Sequence, residues 1–541
     1  MKIFYQKISI PFIFSIIFIC LACIGLTKVG LYYDELHQAT ASFAYKGLNP
    51  HLFNNFSILG IPFMNMSYSG AIKSNIYGMY LFFSGQEFSV LSWRLTGVLI
   101  VGLSLFLFGK MIGKILPKYS LALFYLLFLS DISILFMVRY DWGPVALALS
   151  LRLLFIAFWI KGDYSGDRPT KMNSLLLGLI AGVSVYEKLS SIVLIIPLIY
   201  ILLFNKHRRN LKHLSYASFG YVIGCLPLIA LNIYIFLTRN VLLSWKQVNS
   251  TSSHFNIPDF IDYFIKYISL GGGTLVKSWI TGVKIQVLTN NFETILMISL
   301  LLFSTVLFLF YRFKGKFSSL FWISLLSYFT LCIAVFLLPH PRKWVHHWII
   351  GTPFQYIALS CAFAVSLNEN AKLILSDLDI RRKLFLAIFV IFFTFRLYSL
   401  FSTEKNFSEG YASVKWSPEL TRLGEFAAKH QNDALFIAAD WGVATQIYCL
   451  GDGKTKIYEI FWPHGPVVPV NVSLTEIINN NNLNCVYIVL LEPPRNVNPL
   501  RTSEVLPAMK SLYGWKETDI EDEVKFKNIC IHKFVKEASK N

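Results

Sequence analysis

The chain has 541 residues, of which 55% are hydrophobic and only 15% charged, and its 49 Lys and Arg exceed its 31 Asp and Glu to give a net charge of +18. Average soluble chains are about 25% charged and about 45–50% apolar, so this composition excludes a disordered, collagen-like or ordinary soluble protein. The basic excess points to a membrane rather than to nucleic acid, because Lys and Arg collect at the cytoplasmic ends of transmembrane helices. The 8 Cys are scattered and form no disulfide framework or metal-binding pattern.

Long apolar runs dominate the first three quarters of the chain. A bilayer core requires about 20 apolar residues per helix. Runs of that kind lie at 8–26, 89–109, 119–138, 142–160, 214–237, 293–311, 318–338, 347–367 and 384–401. The stretch 174–204 has room for two short helices, and Glu187 and Lys188 at its midpoint predict a hairpin that turns there, because charges at the bilayer centre are costly. The sequence therefore predicts an all-α polytopic membrane domain with about eleven spans.

Charge bias predicts the orientation of these spans. With a cytoplasmic N-terminus, every predicted cytoplasmic segment carries an excess of Lys or Arg, whereas the loops on the other side do not. The first run resembles a signal peptide, but a retained helix is favoured because a multispan body needs no cleavage. We expect a multi-pass protein of the cell (inner) membrane, with the endoplasmic reticulum as the alternative.

The composition changes after about residue 402, where no further run is long enough to span a bilayer. Predicted strands at 434–439 and 485–491 alternate with predicted helices, which indicates a small α/β domain. We therefore divide the chain into a membrane domain, 1–401, with outer loops 27–88 and 239–290, and an extracytoplasmic α/β domain, 402–541. The sequence Asp440-Trp441-Gly442 follows a predicted strand, where open α/β sheets bind ligands, although a plain turn is the favoured interpretation.

Ionisable residues gather at the membrane boundary on the predicted outer side. They are Asp34, Glu35, Arg139, Asp141, Glu187, Lys188, His340, Arg342, Lys343, His346 and His347. Carboxylates that face cations suit a reaction in which a base removes a proton while a phosphate leaves. Asp34 and Glu35 begin a predicted amphipathic helix in the outer interface, where a carboxylate is either a helix cap or a general base.

Several short motifs resemble those of a known enzyme class in their order along the chain and in their position on the predicted outer side. They are the acid pair Asp34-Glu35 after the first helix, the interfacial helix closed by Gly47-Leu48-Asn49-Pro50, Ser92-Trp93-Arg94-Leu95, Arg139-Tyr140-Asp141-Trp142-Gly143-Pro144, the glycine-containing span that ends at Tyr186-Glu187-Lys188-Leu189, and Lys343-Trp344-Val345-His346-His347-Trp348. Together they resemble the polytopic GT-C glycosyltransferases, and within that class the family 39 group of protein O-mannosyltransferases and lipid A aminoarabinose transferases. The His-Pro-Pro element common in the first outer loop of that group is absent, and 67–73 stands in its place.

The resemblance implies transfer of a sugar from a polyprenyl-phosphate carrier to an acceptor hydroxyl, with inversion at the anomeric carbon. Asp34 is the expected base, with Glu35 or Asp141 as the second choice. The expected lipid-phosphate and donor-binding residues are Arg139, Lys188, Arg342, Lys343, His346 and His347. A divalent cation held by the acids is possible, although the cations can neutralise a phosphate without metal. The acceptor stays open among glycans, lipids and proteins, and no nucleic-acid partner is expected.

Two other functions fit the same hydrophobicity. A lipid or polysaccharide transporter or flippase would more often show inverted repeats and ionisable groups at mid-membrane, so Glu187 and Lys188 at the bilayer centre would favour transport. A non-enzymatic envelope assembly protein would use its α/β domain, and Asp34→Asn would leave its function intact. The glycine-rich part of loop 239–290 is either a flexible cover over the site or a linker.

Overall fold

The structure is a computed structural model, and it describes most of the chain. The described residues are 9–48, 56–66, 68–164, 169–205, 208, 210–240, 256–283, 287–310, 316–338, 344–366, 380–460, 469–492, 499–520 and 526–537.

The chain is mainly helical up to about residue 410. Its α-helices in this part are α1 (Ile10–Cys23), α2 (Tyr33–Ala39), α3 (Ile72–Ser84), α4 (Val90–Ile112), α5 (Lys118–Leu129), α6 (Ile132–Arg139), α7 (Val145–Tyr164), α8 (Lys171–Glu187), α9 (Ile195–Phe204), α10 (Leu211–Arg239), α11 (Ile257–Ile268), α12 (Thr274–Thr281), α13 (Val287–Phe310), α14 (Lys316–Leu337), α15 (Val345–Trp348), α16 (Phe354–Ser366) and α17 (Ile380–Ser408). Short 3-10 helices cover Thr40–Lys46, Leu189–Leu194, Leu270–Gly272, Ile349–Gly351 and Val414–Trp416.

The described part of the chain contains 7 helices that are long and apolar enough to cross a bilayer, or up to 8 if the bent pair α5–α6 forms one span. Each predicted apolar run falls on a helix, and α8 ends at Glu187, where the hairpin was predicted to turn. However, α1 has only 14 residues and α8 only 17. Because a straight crossing needs about 20 residues, the predicted multi-pass helical architecture is confirmed but the count of about eleven spans is not.

The bend between α5 and α6 has a local cause. The two helices meet at an angle of 59°. The Asp131 carboxylate accepts a hydrogen bond from the Ile134 backbone N–H at 2.9 Å, which caps the start of α6. Such a cap satisfies a backbone N–H that has no acceptor within its own helix. The capping residue therefore ends one helical segment and begins the next.

Glycines allow α8 and α10 to approach closely. A Cβ added at Gly178 would lie 1.9 Å from the Ala217 carbonyl oxygen, and one at Gly182 would lie 2.2 Å from that of Tyr221. The same is true from the other side, where a Cβ at Gly220 would lie 2.1 Å from the Leu175 oxygen. Small residues at helix interfaces let backbones touch inside membranes. This contact fixes α8, whose last residue is Glu187.

A small antiparallel sheet lies between α2 and α3. Its strands are β1 (Phe56–Ile58), β2 (Ile61–Met66) and β3 (Ser69–Gly70), in that order. The sheet also reaches the break after α8, because Ser69 pairs with Lys188 and the Leu189 N–H donates to the Tyr68 carbonyl oxygen at 3.0 Å. The first large loop and the turn between α8 and α9 are therefore one connected structure.

The last part of the chain folds around a five-stranded sheet. Its elements are α18 (Glu419–Lys429), β4 (Ala434–Ala438), α19 (Ala444–Leu450), β5 (Lys456–Glu459), α20 (Val470–Asn481), β6 (Cys485–Leu491), α21 (Pro499–Lys510), β7 (Trp515–Thr518) and β8 (Ile529–Lys536). The strand order is β5-β4-β6-β8-β7, with β4 parallel to both of its neighbours. The predicted strands and helices of this part are confirmed, and we call residues 419–537 the C-terminal α/β region.

The C-terminal α/β region packs against α2 rather than standing apart from it. The Gln446 side-chain amide of α19 donates to the Leu31 carbonyl oxygen at 2.9 Å. Asp452 pairs with Lys46 at 2.8 Å and accepts from the Phe88 N–H at 3.0 Å. Every residue of α2 except Asp34 is buried, so α2 lacks the exposed polar face of the predicted amphipathic helix. The predicted place of this segment in the outer membrane interface stays a prediction.

Candidate active site

Arg94 of α4 connects the loop after α1 to the start of α2. Its guanidinium donates to both Glu35 carboxylate oxygens, at 2.6 and 2.8 Å, and to the carbonyl oxygens of Leu26, Val29 and Gly30 at 2.7, 3.0 and 3.0 Å. Both side chains are fully buried. Such a bidentate pair fixes direction as well as distance. Glu35, a candidate second base, is thus committed to holding the segment that carries Asp34.

Asp34 is the partly exposed member of the acid pair. Its neighbours include Tyr68, whose hydroxyl pKa is raised first by burial and then by the Asp34 charge. The Asp34 charge also acts on the ammonium of Lys188, which lies more than a hundred residues away in sequence. The acid after the first helix and the lysine at the break after α8 therefore lie near one another.

Asp141 lies at the entrance to α7 in a strained turn. Its φ is +41°, and Gly143 follows with φ +68°. Its carboxylate accepts from the Ala146 N–H at 3.1 Å and pairs with the Lys73 ammonium, which lies 3.6 Å from the centre of the Trp93 ring. Both members of the ion pair are buried. Asp141 is thus close to the expected site, but its carboxylate is already paired with the Lys73 ammonium.

Glu187 and Lys188 lie side by side at the break after α8, and both are buried. Glu187 accepts from the Ile72 N–H at 3.3 Å, and Lys188 donates to the His346 carbonyl oxygen at 3.3 Å. Burial lowers the pKa of the Lys188 ammonium to about 7; the Arg152 guanidinium adds to this lowering, while Asp141 and Asp34 oppose it. Lys188 therefore lies where the charges of both candidate acids and of a second cation meet.

Arg152 is a residue that the sequence analysis did not select. It lies within α7, its side chain is 2% exposed, and its Nε and Nη2 atoms have no hydrogen-bond partner among the described residues. A buried charge without a partner is unfavourable. A sequence signal existed, because an arginine inside an apolar run is by default a functional candidate. The planar guanidinium beside Lys188 is suited to a bound anion.

The two histidines also belong to this neighbourhood. The His346 ring lies 5.5 Å from the Trp142 ring and 4.3 Å from the His347 ring. His347 Nδ1 is 3.1 Å from the Ser190 hydroxyl. Because Lys188 donates to the backbone of His346, α15 and the turn after α8 hold each other in place. A distant part of the chain therefore contributes imidazoles next to the lysine.

Arg139 has different contacts from the other candidates. Its guanidinium forms an ion pair with Glu404 of α17 at 2.6 Å and donates to the carbonyl oxygens of Leu21 and Ala22 at 2.8 and 3.2 Å. These bonds connect the end of α1 to α6 and α17. Arg139 is thus engaged in holding helices together. Arg342 and Lys343 lie outside the described residues, as does His340.

Within the described ranges, no group of three or more His, Cys, Asp or Glu side chains is arranged to hold a metal ion. The acids proposed as oxygen ligands are distributed instead over separate partners: Glu35 contacts Arg94, and Asp141 contacts Lys73. A divalent cation at this site stays a prediction of the sequence.

Comparison with known proteins identifies the architecture. No protein-family model matches the chain, and no curated protein matches its sequence. Two solved structures are nevertheless similar along most of its length. The crystal structure of ArnT from Cupriavidus metallidurans bound to undecaprenyl phosphate has a TM-score of 0.58 at 9% identity, covering 97% of this chain and 98% of that one. The chain has a GT-C-like fold.

The apo structure of the same ArnT gives a consistent result, with a TM-score of 0.55 at 10% identity over 88% of this chain and 92% of that one. The likeness extends over the helical part and the C-terminal sheet together, since almost the whole of each chain is covered. At this level of identity it establishes the fold of a multi-pass membrane protein. The resemblance read from short motifs is therefore confirmed for the fold.

Proposed function

We propose that the chain is a membrane glycosyltransferase that moves a sugar from a polyprenyl-phosphate carrier to an acceptor hydroxyl. The observation that carries this proposal is the buried Arg152, two of whose nitrogens have no described acceptor, in a GT-C-like fold. The charges of Arg152 and Asp34 both act on the buried Lys188. A carboxylate next to buried cations supplies the two requirements of the reaction, a base for the acceptor and positive charge for the departing phosphate. The site faces the extracytoplasmic side if the charge bias of the loops sets the orientation.

Asp34 is the proposed general base. It is partly exposed, whereas Glu35 and Asp141 are buried in ion pairs with Arg94 and Lys73. In the proposed step, the Asp34 carboxylate takes the hydroxyl proton of the acceptor while the acceptor oxygen attacks the anomeric carbon. The bond between that carbon and the phosphate oxygen breaks, and its electron pair stays on the lipid phosphate. Attack opposite the leaving phosphate inverts the anomeric centre.

Lys188 and Arg152 are the proposed phosphate-binding residues. Two nitrogen atoms of Arg152, Nε and Nη2, have no described acceptor, and the Arg152 charge acts on the buried Lys188. The phosphate would be held in a region with few waters, where each charge–charge contact is stronger than at the surface. His346 and His347 flank Lys188 and complete the proposed set. Arg139 is left out because its donors already contact Glu404 and two backbone carbonyls.

The decisive experiment measures transfer and binding separately. Purified protein is incubated with a panel of labelled polyprenyl-phosphate sugars and with glycan, lipid and protein acceptors, and the release of polyprenyl phosphate is followed. We expect Asp34→Asn to lower the rate about 10²–10⁴-fold with unchanged binding of undecaprenyl phosphate. Asp259→Asn, which changes an exposed acid at the start of α11, is the matched control. Full activity of Asp34→Asn would refute the role of this carboxylate.

The binding measurement tests whether Arg152 holds the lipid phosphate. Arg152→Met should weaken the binding of undecaprenyl phosphate about 10–100-fold, as expected for loss of a charged hydrogen-bonding partner. Lys161→Met removes the same charge from an exposed position farther along α7 and should leave binding unchanged. Equal binding by both variants would remove Arg152 from the proposed site.

A lipid transporter is the second candidate, because Arg152 lies in the interior of a helix long enough to span the bilayer. Ionisable residues inside spans also mark transport pathways. Reconstituted vesicles separate the two functions. Movement of the carrier lipid across the bilayer with no release of polyprenyl phosphate from any donor would favour transport.

A further inference from the structure

The first turn of α2 is held from two sides. Successive residues of an α-helix point about 100° apart, so Tyr33, Asp34 and Glu35 face three directions. Glu35 contacts Arg94 in α4. Tyr33 faces the other way, and its hydroxyl donates to the Glu459 carboxylate of β5 at 2.9 Å. Asp34 therefore lies between two anchored neighbours, one fixed to the membrane helices and the other to the C-terminal α/β region.

The contact between Tyr33 and Glu459 is buried, and other contacts surround it. Each side chain is 5% exposed. The Trp441 ring, which follows β4, lies 4.7 Å from the Tyr33 ring and 6.3 Å from the Tyr32 ring. Trp441 and Glu459 thus come from the carboxyl ends of two adjacent parallel strands, the edge at which open α/β sheets place functional groups. Here that edge faces the residue next to Asp34.

We infer that Glu459 is a positioning residue for Asp34 and acts through the Tyr33 hydroxyl. The C-terminal α/β region would then contribute a residue to the active site. The inference rests on the proposed role of Asp34 as the base. Because α2 has only 7 residues, it gains little stability from its own hydrogen bonds and depends on tertiary contacts. Loss of the Tyr33 anchor should let its first turn move, and small displacements of a reacting group cost rate steeply.

The test combines two variants of the contact with a readout that needs no catalysis. Amide hydrogen exchange of residues 33–39 is measured by mass spectrometry in Tyr33→Phe, Glu459→Ala and the double variant. We expect faster exchange in all three, with the double variant no faster than either single one, because both substitutions remove the same bond. Glu459→Gln keeps an acceptor oxygen and should exchange at nearly the wild-type rate.

The same proteins are then assayed for sugar transfer. Tyr33→Phe and Glu459→Ala should lower kcat about 10-fold, while KM for the lipid-linked donor changes less than about 2-fold, as expected when positioning rather than binding is lost. Glu517→Ala is the control, since Glu517 is exposed in the same sheet and its carboxylate pairs with Lys510 and His532, away from Tyr33.

The outcomes separate the two ideas. Unchanged exchange in Tyr33→Phe and Glu459→Ala overturns the positioning inference, whether or not the protein transfers sugar. Faster exchange with unchanged kcat overturns it as well, because α2 would then be loosened without effect on Asp34. Absence of transfer in the wild type refutes the proposed function instead, while the exchange measurement still reports whether the bond holds α2.

Discussion

Two buried arginines on neighbouring helices show opposite ways of using a charge. Arg94 of α4 is fully buried and has its donors filled by Glu35 and three backbone carbonyls. Arg152 of α7 is almost as buried, yet two of its nitrogen atoms contact no described hydrogen-bond acceptor. The Arg94 charge is therefore satisfied by groups within the protein. The Arg152 charge is left for a bound ligand to satisfy.

The comparison teaches how to separate structural from functional charges in this membrane domain. Lys73 with Asp141 and Arg139 with Glu404 repeat the Arg94 pattern, each being an ion pair between different parts of the chain. Such pairs define how helices and loops meet, and breaking one is expected to harm folding. A buried cation without a fixed partner is expected instead to harm ligand binding when removed.

The largest effect should follow from breaking the satisfied pair. Glu35→Ala leaves the Arg94 guanidinium buried without its carboxylate, which typically costs about 3–5 kcal/mol. The free energy of unfolding of the detergent-solubilised protein, measured by denaturant titration, should fall by that amount. Glu35→Gln retains an acceptor and should lose less.

The control for this experiment is Glu517→Ala, which removes an exposed carboxylate from the C-terminal sheet. It should change the free energy of unfolding by less than about 1 kcal/mol, the usual value of a surface ion pair. Equal stabilities of Glu35→Ala and Glu517→Ala would show that the bond between Glu35 and Arg94 does not hold the structure.

The same distinction explains what the sequence could predict. Long apolar runs located the helices, because the bilayer requires a fixed length of apolar chain, and short apolar runs located the buried strands β4 and β6. The sequence also selected Asp34 and Lys188, because both lie at predicted membrane boundaries on the outer side. It did not predict that Glu35 would be paired with Arg94, since a partner chosen by tertiary packing leaves no mark in the local pattern.

Two features of the candidate site lay beyond sequence patterns for the same reason. The contact between Tyr33 and Glu459 joins residues separated by 426 positions, and no local sequence pattern links the two. Arg152 did carry a signal, as a charge within an apolar run, but only the structure shows that two of its donors lack described partners. Structural and functional charged residues therefore differ in whether they have a partner in the folded protein, and not in where they lie in the sequence.

A smaller effect on stability should depend on pH. Burial raises the pKa of Glu459 from its ordinary value of 4.5 to about 7, although the hydrogen bond from Tyr33 opposes the change. Between these values the folded protein holds a proton that the unfolded chain releases, so the free energy of unfolding should fall as pH rises from about 4.5 to 7. Each unit of difference is worth about 1.4 kcal/mol, so the total is at most about 3.5 kcal/mol.

Denaturant titrations at pH 5, 6, 7 and 8 measure this slope, and Glu459→Gln should flatten it because the amide does not titrate. The other titratable groups next to this contact are Asp34, Tyr68 and His37, and the substitution leaves all three unchanged. Burial lowers the pKa of His37 to about 4, so this histidine acts on the slope in the opposite sense, and the difference between wild type and Glu459→Gln isolates Glu459. An identical slope in wild type and Glu459→Gln would assign the pH dependence to another group. The protonation state of Glu459 also matters for the proposed sugar transfer. The ionised carboxylate accepts a stronger hydrogen bond from the Tyr33 hydroxyl than the protonated form does.

The smallest effect should have the opposite sign and concerns Arg152. Arg152→Met replaces a buried charge that lacks described partners with an apolar side chain of similar length. Exchanging buried charges for apolar residues is often neutral or stabilising, so the ligand-free protein should gain about 1–2 kcal/mol. Undecaprenyl phosphate should stabilise the wild type by an amount that grows with its concentration and stabilise Arg152→Met far less. Denaturant titrations with and without the lipid measure both quantities. A destabilised Arg152→Met that still responds fully to the lipid would place Arg152 with Arg94 among the structural charges, because a residue kept for binding is expected to reduce the stability of the empty protein.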